Sequence, residues 1–97
     1  MESIFVTPAL PVPASATADE WNCVDTATGL PMRSLEWSRH DTAKVGVGVD
    51  GWQDAAGSVH RHISLYSADA KELTAADARA LAAALFAAAA KLDEVLR

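Results

Sequence analysis

The sequence predicts an α+β fold: a small antiparallel sheet of three to four strands packed against one long C-terminal helix. Three observations predict it. Between Arg33 and Ser67, three stretches alternate apolar and polar residues with a period of two, separated by turn-forming residues. From Leu73 onward the apolar spacing changes to that of a helix, opened by a capping signature. With 97 residues the chain accommodates one domain with one modest core. Aromatic residues make up only 6%, so that core has to be closed by small side chains packed tightly.

The first twenty residues read as a Pro/Ala-rich N-terminal arm preceding a single domain over 21–97. Ser3 to Val6 has the composition of a short strand. The stretch PALPVPASATADE that follows is extended-arm or tether material, open to being a disordered leader or an arm laid across a neighbouring subunit. A secretory signal is not expected, because Glu2 stands where a positive charge belongs and Pro8, Pro11 and Pro13 interrupt any apolar helix. Trp21 to Val24 suits a brief strand, ended by the turn-like Asp25 to Pro31.

In RSLEWSRH, Leu35 and Trp37 share one side, with Ser34, Glu36, Ser38 and His40 on the other. In KVGVGVD, Val45, Val47 and Val49 share a face, with Gly46 and Gly48 opposite. GWQDAAG then reads as a loop that carries Trp52, which either anchors an interface or folds back to cap the sheet. In SVHRHISLYS, Val59, Ile63 and Leu65 point inward together with an exceptional Arg61. His60, His62, Ser64 and Tyr66 point outward.

The helix begins with Thr74 as N-cap and Asp77 in the capping-box position, and runs to about Leu96, roughly 34 Å at the standard rise. Leu81, Leu85, Ala88, Leu92, Val95 and Leu96 form the stripe expected against the sheet. The opposite side carries Ala83, Phe86, Ala87 and Ala90 between Arg79 and Glu94, so the helix is apolar nearly all round in its middle. Such a helix is usually covered on both sides, and one sheet covers only one. The expectation is a homodimer, or another protein docked on this back face; the alternative is a solvated alanine face with one stray phenylalanine, which costs little.

The string ELTAADARALAAALFAAAAKLDE is similar to the C-terminal segment of many small uncharacterised proteins of actinobacteria and their phages. In those proteins a leucine-threonine pair opens a helix of the form A-R-x-L-A-x-A-L after a β-hairpin. The matching positions are Leu73, Thr74, Ala78, Arg79, Leu81, Ala82, Ala84 and Leu85, about a quarter of the chain. The resemblance implies the same strand-to-helix ending and no activity.

Composition narrows the function classes. The formal charge is −5 and no run of Lys or Arg forms a basic stripe, which argues against sequence-independent nucleic-acid binding. Cys23 is the only cysteine, so an internal disulfide and a cysteine-based zinc site within one chain are impossible, which suits a cytoplasmic location. The longest apolar run, Ala80 to Ala90, is too short to cross a bilayer. Cys23 reads as a small core residue or, paired with a histidine, a nucleophile without any supporting signature. The glycines of VGVGVDG lack the lysine and helix start of a phosphate loop.

The expectation is therefore a non-enzymatic interaction module without a cofactor. Its candidate interface is Trp52, Ala83, Phe86, Ala87 and Ala90. The alternative is a small metal- or ligand-binding protein. His60 and His62, about 7 Å apart on one strand face, and His40 would supply its ligands.

Overall fold

The computed structural model describes residues 8–67 and 72–97. Five strands and one helix follow in order: β1 (Thr17–Ala18), β2 (Cys23–Val24), β3 (Pro31–Arg39), β4 (Val45–Asp54), β5 (Val59–Ser67) and α1 (Ala75–Val95). The sheet is antiparallel throughout, in the order β1-β3-β4-β5, with β2 also on the outer edge of β3. The α+β expectation holds. The strand expected at Ser3 to Val6 lies outside the described residues.

β1 and β2 behave as one edge strand interrupted by a bulge. Ala18 pairs with Leu35 and Cys23 with Met32, so Asp19 to Asn22 stand opposite only Arg33 and Ser34. The excess loops outward and tucks Trp21 into the fold, where the Arg33 guanidinium lies 4.5 Å from its ring centre. Arg33 is buried, and its charge is met by Gln53 Oε1 at 2.7 and 2.9 Å and by the carbonyls of Leu10 and Pro11 at 3.1 Å. Trp37 donates its indole N–H to Ala14 O at 3.2 Å. The proline-rich arm from Pro8 is thus held against its own sheet, because its carbonyls satisfy buried donors that would otherwise be left without partners.

The loop expected over 51–57 is shorter than the sequence suggested. β4 continues to Asp54, because Gln53 has a buried partner in Arg33 and Trp52 a stacking partner across the ladder. The connection is only Ala55 to Ser58. Asp54 donates its N–H to Ser58 O, its carboxylate accepts from Ala56 and Ser58 N–H, and Gly57 takes the positive φ (+93°) that this tight connection requires.

A second irregularity decides the faces of β3. Glu36 pairs with Asp50 and Ser38 with Val49, leaving Trp37 as an extra residue. Beyond it the alternation is inverted: Arg39, opposite Gly48, joins the outer face and places its guanidinium 4.6 Å from the Tyr66 ring centre.

The inner face carries Leu35, Trp37, Val45, Val47 and Val49, closed by Ala88 of α1, with Leu81, Leu85, Leu92 and Val95 around it. Ala88 is fully buried because a methyl group lets the helix axis approach the valine strand. The helix start is as expected: Thr74 Oγ1 accepts from Asp77 N–H at 3.1 Å, and the Asp77 carboxylate accepts from Thr74 N–H at 2.9 Å. Lys44, in the β3–β4 turn, adds an ion pair to Asp77 at 2.7 Å, fixing the N-terminus of α1 to the sheet. Of the expected core stripe, Leu96 departs, 59% exposed as the helix C-cap.

Candidate functional site

Among the described residues, two broad faces are open to solvent or a partner: the outer face of the sheet and the outer side of α1.

The outer sheet face is assembled around Asp50, placed there because Val45, Val47 and Val49 fix the opposite parity inside. His62 Nε2 lies 2.9 Å from Asp50 Oδ1, Ser64 donates its hydroxyl to the same oxygen at 2.7 Å, and Tyr66 donates its phenol to Oδ2. The Asp50 carboxylate holds the Tyr66 phenol above its ordinary pKa, since ionising the phenol would remove a hydrogen bond and oppose two negative groups. Farther along, Trp52 stacks on His60 at 4.0 Å between ring centres and 16° between planes, with the His62 ring 5.2 Å from His60. Across the sheet, Thr17, Glu36, Asp50, Trp52, His62 and Tyr66 edge a shallow recess of about 430 Å³. Outside the recess, beyond Tyr66, Arg39 and Asp41 bond at 2.8 Å, which raises the pKa of the guanidinium and lowers that of the carboxyl.

The chemistry of this arrangement is limited. Ser64 and His62 both turn to the same oxygen of Asp50, so the serine hydroxyl has no hydrogen bond to an imidazole that could accept its proton. Of the three histidines proposed as ligands, the structure brings His60 and His62 together and leaves His40 out. The bulge at Trp37 turns His40 away from the outer face, and its Nε2 lies 2.8 Å from Ser38 Oγ. Among the described residues, no three His, Cys, Asp or Glu side chains are grouped to hold a metal ion. Cys23 is exposed on the edge strand, its thiol against Asn22, and belongs neither to the core nor to this face.

Two residues central to this face were missed in the sequence. Asp50 was legible from the parity of the valine strand, whereas Arg39 was not, because a bulge leaves no mark in an alternating pattern.

On α1, Ala83, Phe86, Ala87 and Ala90 are all exposed, and Phe86 is 80% exposed, the most open large apolar side chain among the described residues. They lie together on the side away from the sheet. Trp52 does not join them: it stands on the outer sheet face, stacked on His60, so the five expected interface residues divide between opposite sides of the molecule. Among the described residues no helix is long and apolar enough to cross a membrane.

No family model, curated protein or solved structure matches this chain.

Proposed function

We propose that this chain is a non-enzymatic interaction module that self-associates, with the outer side of α1 as a docking surface. Phe86 carries the reading: a phenylalanine 80% exposed at the centre of an alanine-lined helix face that lets another backbone approach closely. The small core supports it. Only seven apolar residues are buried among those described.

Sedimentation equilibrium tests the reading. The wild-type average mass rises above the monomer as concentration approaches about 1 mM, and Phe86→Glu lowers it at every concentration. A wild type that stays monomeric refutes self-association. Superimposable curves for wild type and Phe86→Glu refute the helix face.

A further inference from the structure

We infer that the outer edge of β5 between Arg61 and Leu65, unpaired among the described residues, is an interface for a second copy of this chain, pairing antiparallel with β5 of the partner about a two-fold axis at Ile63. The inference rests on the self-association proposed above and adds a surface distinct from the helix face.

The backbone register shows which groups this edge presents. His40 N–H donates to Val47 O and Ala55 N–H to Pro31 O, so the odd-numbered residues of β4 between Val47 and Gln53 direct their peptide groups toward β3. Their partners on β5, Val59, Arg61, Ile63 and Leu65, therefore face away from β4. The bond from Asp54 N–H to Ser58 O fixes the same phase from the turn. Among the described residues, no backbone hydrogen bond reaches the outer groups of Arg61, Ile63 or Leu65.

Soluble proteins usually protect such an edge with proline, a bulge or a very short strand. β5 has none of these: it runs nine residues in unbroken register with β4. Its only protective feature is the inward Arg61, and that guanidinium is held over the Trp37 ring at 5.2 Å. Near the end of the strand Leu65 and Tyr66 are 58% and 45% exposed, more apolar surface than a solvated edge needs.

The side chains select a second copy as the occupant. A two-fold at Ile63 sets Ile63 against itself, Arg61 against the partner's Leu65, His62 against the partner's Ser64 and His60 against the partner's Tyr66. No like charges meet, the Arg61 stem covers an exposed leucine, and Arg61, Ile63 and Leu65 together form about six backbone hydrogen bonds across the axis. Centring the axis on Arg61 would oppose two guanidiniums. Centring it on Leu65 would leave only Ile63 to Ser67 paired. An isologous, closed dimer results, with one sheet running through both copies and the two α1 helices on the same side of it.

The test uses the full chain carrying Phe86→Glu, which silences the helix face, and reads the dimer dissociation constant by sedimentation equilibrium. Leu65→Lys places a cation opposite the partner's Arg61 twice per dimer and weakens association roughly tenfold. Leu65→Glu places a carboxylate there and leaves association equal or tighter. Far-ultraviolet circular dichroism and the thermal midpoint confirm that both variants fold.

A monomeric Phe86→Glu chain overturns the edge dimer and leaves the helix-face reading standing, whereas a monomeric wild type overturns both. Equal weakening by lysine and glutamate, or no effect of either, overturns the pairing about Ile63. If Phe86→Glu leaves the wild-type mass unchanged while the charge reversal at Leu65 changes it, the edge is supported and the helix face refuted.

Discussion

Gly51→Ala is the substitution whose cost the geometry fixes most sharply. Gly51 lies mid-strand on β4 opposite Arg61, and a Cβ built on it overlaps the carbonyl of His60 and crowds the Arg61 Cα. These are backbone atoms of the adjoining strand, so no rotamer change relieves the overlap. Either β4 and β5 separate locally, losing ladder hydrogen bonds, or the twist is redistributed through the sheet. Overpacking typically costs 1–3 kcal/mol, and a rigid backbone obstacle belongs at the top of that range, about 3 kcal/mol. For a domain of this size that lowers the thermal midpoint by roughly 12–24 °C.

Gly46→Ala and Gly57→Ala are the controls. The first meets Arg39 Nη2 at 2.9 Å and the Tyr66 Cβ at 3.1 Å, and the arginine can swing away, for about 1 kcal/mol. The second meets nothing and costs about 1 kcal/mol through its positive φ alone. Urea unfolding followed by tryptophan fluorescence reports all three, with Trp52 beside the altered strand pair as a local probe. A Gly51→Ala chain within about 1 kcal/mol of wild type refutes the reasoning, since it means that the two backbones do not approach as described.

Other outcomes follow from the same geometry. Thr74→Ala removes the helix cap and lowers stability by about 1 kcal/mol in the same urea assay. The Asp77 carboxyl is held at about 2 by Lys44 and by the backbone and side chain of Thr74, below its ordinary 3.8. Its stabilising contribution is therefore complete above the unfolded value and lost as pH falls from 3.8 toward 2; the difference in thermal midpoint between wild type and Asp77→Asn shrinks over that window. Tyr66 is the only tyrosine, so an ultraviolet absorbance titration follows it alone: the midpoint lies above 10 in the folded chain and falls toward 10 in Asp50→Asn. The Tyr66 contribution has the opposite sign to that of Asp77, being present below pH 10 and lost as pH rises through the elevated folded value. Gln53→Leu leaves the buried Arg33 without its main side-chain acceptor and costs about 3 kcal/mol in the same urea assay.

Local devices are legible in this sequence, and interrupted ones are not. The capping box at Thr74 and Asp77, the inward valines of β4 and the inward Arg61 each depend on residues a few positions apart, and each stands where its spacing placed it. Trp52 read as a loop residue because Gly51 and the Asp54–Gly57 cluster resemble turn material. What keeps the strand running is a pair of distant partners, Arg33 for Gln53 and His60 for Trp52. His40 read as a companion of His60 and His62 because alternation was extended through Trp37, where the ladder gains a residue.

The order of the elements from β2 to α1, the helix limits to within a residue or two and the parity of the valine strand were determined by the sequence alone, since period and capping act through near neighbours; β1, inside the expected arm, was not. Tertiary structure alone decided that the proline-rich arm lies on its own sheet, that Asp50 gathers His62, Ser64 and Tyr66, and that Arg39 replaces His40 beside them. Each of these depends on strand register and on two bulges, and register is set by which side chains find partners across the ladder, a relation between residues that linear spacing does not encode.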